Sequence, residues 1–217
     1  MELITYQNYI DGRWMDSVSG ETYTISNPAH KNQTLGAFQR SAPEDAVSAI
    51  EAARKALPGW SSTPAPQRAA VLYRAMQLME EREAQLARSI TVEEGKPITD
   101  ARGEVKRSMN ITEYAAGEGR RMFGNTTPSE LPNTMAYTTR RPLGVVGIIT
   151  PWNFPLAIPA WKIAPALICG NTLVFKPATA TPMTAIALVK IFEDAGLPPG
   201  VLNLLTGPGF SVGNTIV

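Results

Sequence analysis

Apolar positions recur every three or four residues between residue 42 and about residue 122. The first run places Ala46, Ile50 and Leu57 on one side of a helix that follows an acidic first turn and is expected to end at Pro58-Gly59. Later runs are bounded by breaks rich in proline and glycine, so four helices are predicted. Their expected positions are 43–57, the stretch from Pro66 to about 79, 86–94 and 99–122.

Short strands are predicted on both sides of this helical region. The opening stretch is typical of β-hairpins, with turns at Asp11-Gly12 and Ser19-Gly20. The segment Met135–Arg141 is β-prone, but Pro142 follows it and cannot donate a backbone hydrogen bond. An exposed or edge strand is therefore expected there.

After Gly144 the strands become uniformly apolar and alternate with helices. This β-α-β-α-β pattern predicts an α/β fold with a doubly wound, Rossmann-like parallel sheet that is covered on both faces. Ligands of such sheets bind at the carboxyl ends of the strands. The predicted elements are strand 145–149, helix 156–168, strand 172–175, helix 183–195 and strand 201–205.

The chain thus divides into three predicted segments. Residues 1–125 form the N-terminal strands and the mostly helical part, 126–142 an edge or oligomerisation strand segment, and 143–217 the first β-α-β-α-β unit of an incomplete sheet. The sheet domain is expected to continue past residue 217, which would leave a strand edge and a core face unpaired.

The amino-acid composition restricts the classes of molecule that the protein is expected to bind. The 20 Lys+Arg and 19 Asp+Glu nearly cancel, so no net field favours nucleic acid or an anionic membrane. A single cysteine, Cys169, and a single histidine, His30, exclude an internal disulfide and a metal cluster built on these residues. Without a signal peptide or a long apolar stretch, a cytoplasmic protein is expected, with small molecules or other subunits as partners.

Three loops at the predicted strand ends carry the candidate chemistry. In the first, Asn153 stands between two prolines, where its amide could face a developing oxyanion or could simply cap a helix. In the second, Lys176 and Thr179 could bind a ribose or a phosphate, although a lone lysine there is more often solvated.

The third loop has the glycine spacing G-x-G-x-x-x-G, starting at Gly207, before a predicted helix. Such glycines allow a cofactor to approach the backbone, but this is not the usual dinucleotide fingerprint. Cys169 is expected to be a small core residue and not a nucleophile, because it lies at the negative end of a helix dipole, which disfavours a thiolate.

Taken together, these loops closely resemble the aldehyde dehydrogenase superfamily, and the resemblance covers nearly the whole chain. It is carried by Pro142–Pro155, which reads PLGVVGIITPWNFP, by Trp161–Leu167, Gly170–Thr172, Phe175–Ala178 and Gly196–Asn203, and by Ile10–Trp14 and Asn27-Pro28 near the start.

The resemblance implies NAD(P)-dependent oxidation of an aldehyde to an acid through a cysteine thiohemiacetal and a thioester. It implies that the Asn153 side-chain amide donates a hydrogen bond to the oxyanion and that Lys162 lies close to the active site. No metal is expected in this site. It also implies a cofactor site formed by Ile149, Thr150, Pro151, Trp152, Asn153, Lys176, Pro177, Ala178, Thr179, Gly209 and Gly213.

Two departures from the family pattern lead to further expectations. Many members that prefer NAD have Glu where this chain has Thr179, so NADP is expected to be accepted or even preferred. The family's nucleophilic cysteine and general-base glutamate would lie beyond residue 217, so this polypeptide alone is expected to be inactive. The full-length protein is expected to form a homodimer or a homotetramer.

The resemblance is strongest to bacterial α-ketoglutaric semialdehyde dehydrogenases, with succinic semialdehyde enzymes close behind. Several of the latter have Arg where this chain has Trp161, which favours the former substrate. The alternative is a non-catalytic fragment or paralogue that binds nucleotide or oligomerises. A classical Rossmann dehydrogenase with metal or histidine chemistry is disfavoured by the lone His30.

Overall fold

The computed structural model describes residues 3–217 and contains a mixed α/β arrangement. Its strands are β1 (Thr5–Tyr6), β2 (Asn8–Ile10), β3 (Arg13–Met15), β4 (Thr22–Asn27), β5 (His30–Gln39), β6 (Thr126–Thr127), β7 (Ala136–Tyr137), β8 (Val145–Ile149), β9 (Thr172–Lys176) and β10 (Leu202–Leu204). Its helices are α1 (Pro43–Ser62), α2 (Ala65–Glu81), α3 (Glu83–Glu94), α4 (Ile98–Glu118), α5 (Ala157–Ile168), α6 (Pro182–Asp194) and α7 (Asn214–Ile216), which follows a π-helical turn at Gly209–Gly213.

The predicted β-α-β-α-β unit is confirmed. Strands β8, β9 and β10 are parallel and adjacent, and β8 pairs with β9 in register from Val145 opposite Thr172 to Ile149 opposite Lys176. Alternate β9 side chains enter the two apolar cores: Phe175 belongs to the core that contains α5 and α6, and Val174 to the core that contains α1. The sheet is therefore covered by helices on both faces, as uniformly apolar strands require.

The N-terminal hairpin extends this sheet, which the sequence pattern did not predict. Residues Asp11 and Gly12 both have positive φ, at 50° and 77°, and connect β2 to β3 as a tight hairpin turn. Strand β2 also pairs antiparallel with β10, with Leu204 opposite Tyr9. The sheet has the order β3-β2-β10-β9-β8 and is mixed, not purely parallel.

A second sheet contains the longest strand, which was not predicted. Strand β5 pairs antiparallel with β4 and parallel with β1. The first five residues of β5 are exposed and polar, and only its last four are buried. Because half of the strand has no buried face, its sequence lacks the alternation that predicts a strand. Gly36 is needed here, since a Cβ at that position would lie 2.6 Å from the Tyr6 ring.

Two local predictions are wrong. Helix α1 does not end at Pro58-Gly59 but continues to Ser62, because Trp60 is buried and its Nε1 donates to the Leu167 carbonyl oxygen at 3.1 Å. This tertiary contact overrides the local breaker. Cys169 is not a core residue but is exposed at the end of α5, where it lines a shallow depression with Tyr114 and Arg140.

The segment between α4 and β8 is an exposed two-stranded ribbon. Thr126 and Thr127 of β6 pair antiparallel with Tyr137 and Ala136 of β7. Strand β7 lies inside the stretch for which the sequence predicts an exposed strand, although only two of its residues are paired. None of the helices within residues 3–217 is both long enough and apolar enough to cross a bilayer.

Two buried glutamates from the helical part join it to the sheet. Glu93 accepts hydrogen bonds from the backbone N–H groups of Met183 and Thr184, the latter at 2.9 Å, at the start of α6. Glu104 accepts from the N–H groups of Leu156 and Ala157, at 2.9 and 3.1 Å, at the start of α5. Each carboxylate fills the role of a helix cap from a distant element and faces the positive end of a helix dipole.

Burial, with a smaller contribution from the nearby Glu94, raises the pKa of Glu93 to about 7, although the hydrogen bonds from Thr184 and Met183 lower it. A carboxyl group in the unfolded chain titrates near 4.5. The folded protein therefore binds a proton at Glu93 over a pH range in which the unfolded chain has lost it, and the free energy of unfolding falls as the pH rises from about 4.5 to about 7.

We therefore expect Glu93→Gln to abolish a pH-dependent loss of about 3 kcal/mol between these limits, because the neutral side chain does not titrate. Urea unfolding across this range measures the difference between wild type and variant. The exposed Glu51→Gln serves as the control and should leave the pH profile unchanged. A Glu93→Gln profile parallel to that of wild type would contradict the assignment.

Candidate functional site

The three strand-end loops of the sequence prediction lie at one edge of the sheet. The first and second loops are joined where the Thr150 N–H donates to the Lys176 carbonyl oxygen at 3.2 Å. The second and third are joined where the Thr179 hydroxyl donates to the Gly207 carbonyl oxygen at 3.0 Å. This proximity follows from the parallel pairing of β8, β9 and β10, since their carboxyl ends must emerge together.

Gly213 marks the point at which all three loops meet. A Cβ at Gly213 would lie 3.8 Å from Ile149 Cδ1 and 3.8 Å from Lys176 Cδ. Its φ of −62° is one that any residue adopts, so the backbone does not require glycine here. What the missing side chain provides is space between Ile149 and Lys176. We call these three residues the cradle.

Gly209, at the start of the same π-helical turn, faces open space, since a Cβ there would meet nothing within 4 Å. The neighbouring Phe210 side chain is 74% exposed. The third loop therefore presents a bare backbone and an unpacked aromatic ring at the entrance to the cradle.

Lys176 is the one charged member of the cradle, and it is buried, with 3% of its surface exposed. Its Nζ donates to the Pro177 carbonyl oxygen at 2.7 Å, and no carboxylate within residues 3–217 lies in ion-pair range. Burial lowers the pKa of its ammonium group. A buried cation without a counter-ion is costly and is typical of a site that receives an anionic or strongly polar ligand.

The first loop presents free polar groups beside the cradle. Trp152 and Asn153 are exposed, and the Asn153 side-chain amide makes no hydrogen bond within residues 3–217, whereas its backbone carbonyl accepts from Lys96 Nζ at 3.0 Å. The Thr150 hydroxyl is buried without a partner in the same part of the chain. The exposed Asn153 amide is thus available to a ligand, whereas the Thr150 hydroxyl is enclosed by the protein.

The remaining predicted residues lie on or near this edge. Pro151 is exposed, Pro177 is buried and Ala178 is half-buried between Lys176 and the next helix. Lys162 is exposed on α5 beside Trp161, which is 51% exposed. No hydrogen bond or ion pair within residues 3–217 ties Lys162 to the cradle, so its role stays a prediction.

Sequence reasoning missed the residues that support the first loop. Lys96 and Glu104, from the helical part, contact the loop and the start of the helix that follows it. The sequence signal at Gly95-Lys96-Pro97 indicated only the end of a helix. A contact across 57 residues leaves no local pattern, so this function of Lys96 is visible only in the fold.

Comparison with known proteins agrees with this geometry. Residues 14–217 match the aldehyde dehydrogenase family. Over 96% of its length the chain is 47% identical to an α-ketoglutaric semialdehyde dehydrogenase of Bacillus subtilis, and over 99% it is 39% identical to an NADP-dependent succinate-semialdehyde dehydrogenase of Escherichia coli. A crystal structure of an Escherichia coli NADP-dependent enzyme superposes with a TM-score of 0.95 over 97% of this chain, at 39% identity.

The chain therefore belongs to the aldehyde dehydrogenase family. The match also confirms the predicted resemblance and the predicted fold class. It covers 43% and 44% of the two relatives and 44% of the crystallised chain, so the chain spans less than half the length of the proteins that it matches.

The burial of Lys176 predicts a stabilising substitution. Lys176→Met removes an ammonium group that burial disfavours and keeps the apolar stem, so we expect the melting temperature to rise by about 2–4 °C, the shift that about 1 kcal/mol produces in a domain of this size. Calorimetry measures the change. Lys55→Met, at a lysine whose side chain is 80% exposed, is the matched control and should have little effect. A lower melting temperature would show that Lys176 is structural.

Proposed function

We propose that the full-length protein containing this chain oxidises a semialdehyde to the carboxylic acid with NAD(P), and that α-ketoglutaric semialdehyde is the favoured substrate. The observation that carries the proposal is the cradle, in which a glycine leaves space beside a buried lysine without a counter-ion. These groups fit a dinucleotide, which combines anionic phosphates with flat rings and ribose hydroxyls.

When bound, the cofactor supplies the hydride acceptor. We assign Lys176 to hold a ribose hydroxyl or a phosphate, since its stem lies beside Gly213 and its ammonium group, with three N–H donors, makes one hydrogen bond within residues 3–217, to the Pro177 carbonyl oxygen. Pro177, Ala178 and Thr179 form the wall of the second loop, and Gly209 and Gly213 leave room on the adenine side. Ile149, Thr150, Pro151 and Trp152 cover the nicotinamide-ribose half.

We assign to Asn153 the role of hydrogen-bond donor to the oxyanion that forms when a thiol adds to the aldehyde carbon. A neutral amide on a fixed backbone stabilises such a charge without reorganisation. Lys162 is assigned to the periphery of the same site. The free amide of Asn153 and its exposed position support this role.

The nucleophile is not Cys169 in this proposal. Cys169 directly follows α5, whereas Asn153 lies four residues before its first residue, and the 12 residues of the helix span about 18 Å along its axis. A thiol at that distance cannot share an oxyanion with the Asn153 amide. We therefore infer that residues 1–217 alone do not oxidise aldehydes and that the nucleophile and the general base belong to the rest of the full-length protein.

The substrate is inferred from two observations. The Bacillus subtilis relative, at 47% identity, is named for α-ketoglutaric semialdehyde, and the Escherichia coli relative, at 39%, for succinate semialdehyde. Trp161, which is exposed on α5 just past the first loop, occupies the position at which several succinic semialdehyde enzymes have Arg, whose guanidinium would bind the carboxylate of that smaller substrate.

Assembly is proposed to involve the β6–β7 ribbon of segment 126–142. Three apolar residues of this ribbon are largely exposed to solvent: Leu131 by 67%, Met135 by 79% and Tyr137 by 64% of their surface. Apolar side chains so placed are typical of a surface that a second subunit covers, in a homodimer or a homotetramer.

The direct test is NAD(P)H formation by the purified full-length protein with α-ketoglutaric or succinic semialdehyde. We expect the former to give the higher kcat/KM, and Asn153→Ala to lower kcat by about 10²–10³-fold, the usual cost of removing one oxyanion donor. Cys169→Ser is the control and should keep wild-type activity. Activity that depends on Cys169, or no activity with either aldehyde, would refute the proposal and leave the non-catalytic alternative.

Cofactor choice gives a further prediction. Thr179 is half-buried at the junction of the second and third loops, close in sequence to Lys176, where a carboxylate would repel a 2′-phosphate. We expect Thr179→Glu to raise the Kd for NADP at least about tenfold with little effect on NAD. Thr179→Gln, of similar size without the charge, should retain NADP. Unchanged NADP affinity in the Glu variant would contradict this role of Thr179.

A further inference from the structure

Lys96 contacts the first loop directly behind Asn153. Its Nζ donates to the Asn153 carbonyl oxygen at 3.0 Å and lies 4.1 Å from the centroid of the Phe154 ring. The same Nζ is 2.5 Å from Glu104 Oε2 and 3.2 Å from Glu94 Oε2. One ammonium group thus joins two carboxylates of the helical part to two successive residues of the loop.

The backbone of Lys96 is itself held on both sides. Gly95 ends α3 in the left-handed conformation at φ 87°, and its N–H donates to Thr91, while Pro97 opens α4 with a fixed φ of −53°. Lys96 is the single residue between these two caps. Its side chain is only 12% exposed, so it has little freedom to leave the loop.

Glu104 holds the other end of the loop. Its side chain is fully buried; Oε1 accepts the Leu156 and Ala157 N–H groups, and Oε2 binds Lys96. The segment from Asn153 to Ala157 is therefore fixed at its first carbonyl and at its last two amides by one ion pair. Charge-assisted bonds of this kind are strong where water is excluded.

The backbone of Asn153 is held by a hydrogen bond, whereas its side chain is not. Its carbonyl is bound, whereas its amide is exposed and without a partner within residues 3–217. We propose that Lys96 and Glu104 are positioning residues for the reaction, which aim the Asn153 amide at the oxyanion through the backbone of the first loop. This inference rests on the proposed function, because it assigns a purpose to the ion pair only if Asn153 is the oxyanion donor.

A positioning role and a purely structural role for Lys96 predict different effects on kcat and on cofactor affinity. Displacement of a donor by about 1 Å can lower the rate about 10²-fold without changing binding of groups elsewhere in the site. Lys96 makes no hydrogen bond or ion pair with the cradle residues Ile149, Lys176 or Gly213. Loss of Lys96 should therefore lower kcat and leave cofactor affinity unchanged.

The test is a double-mutant cycle in the full-length protein with Lys96→Met and Asn153→Ala. We expect Lys96→Met alone to lower kcat at least about tenfold, with the Kd for NADP within about twofold of wild type, and to have no further effect in the Asn153→Ala background. Lys96→Arg, which retains a cation that can donate, should recover most of kcat. Lys106→Met, at an exposed lysine of α4, is the matched control for loss of charge and should keep wild-type kcat.

Glu104→Gln serves as the second variant, because it keeps an acceptor for Leu156 and Ala157 but removes the charge that holds Lys96. It should lower kcat in the same way and be equally silent beside Asn153→Ala. Equal losses of kcat from Lys96→Met in both backgrounds, or a wild-type kcat in Lys96→Met, would overturn the inference.

Hydrogen exchange separates failure of this inference from failure of the proposed function. The amides of Phe154 and of residues 156–158 should exchange faster in Lys96→Met than in wild type, while those of β9 stay protected, whether or not the protein oxidises aldehydes. If Asn153→Ala keeps full activity, the proposed function fails at its oxyanion donor. If Asn153→Ala is impaired but exchange of Phe154 and 156–158 is unchanged by Lys96→Met, the positioning role alone is overturned.

Discussion

The N-termini of α5 and α6 each face a buried carboxylate from the helical part of the chain, and much of the architecture depends on this pairing. Glu104 fills the first terminus and Glu93 the second. In a classical dinucleotide fold, such a terminus is the anion site, because its free N–H groups and its dipole attract phosphate. Here a buried carboxyl group of the protein itself already occupies each terminus. In the proposed function, the phosphates of the cofactor therefore have to be bound elsewhere along the sheet edge.

Lys176 is the group that the structure leaves for this purpose. It lies at the end of β9, one strand from the first loop, and is buried without a counter-ion. A protein selected for stability alone would not keep an unpaired ammonium there. The two helix dipoles thus hold the helical part on the sheet, and in the proposed function the positive charge for the ligand comes from the side chain of Lys176.

The sequence predicted those parts of the fold whose pattern is local. Strands β8, β9 and β10 are buried and uniformly apolar, so their order and the edge where their loops meet could be predicted before the structure. Three other features could not be predicted, because each depends on a tertiary partner. They are the polar half of β5, the continuation of α1 past Pro58 and the pairing of the β2–β3 hairpin with β10.

The same distinction between local and tertiary contacts decides which residues of the candidate site could be predicted from the sequence. The candidate site residues stand together in short loops, so strand ends and residue chemistry could indicate Asn153 and Lys176 as candidates, and the family resemblance assigned their roles. The supporting residues are scattered: Glu104 reaches Leu156 across 52 residues, and Glu93 reaches Thr184 across 91. No period or motif connects such pairs. Cys169 shows the converse error, since an apolar helix suggested burial at a position that the end of α5 leaves at the surface.

The division between fixed backbone and free side chain explains why the first loop needs both prolines and an ion pair. Pro151 and Pro155 restrict φ at the two ends of the loop, but they cannot orient the peptide that follows Asn153, because proline controls only its own φ and disfavours some conformations of the residue before it. The Lys96 ammonium binds that peptide at its carbonyl oxygen. The remaining freedom of Asn153 then lies in its side-chain torsions alone. In the proposed reaction, an amide with so few conformations would lose little entropy on binding the oxyanion.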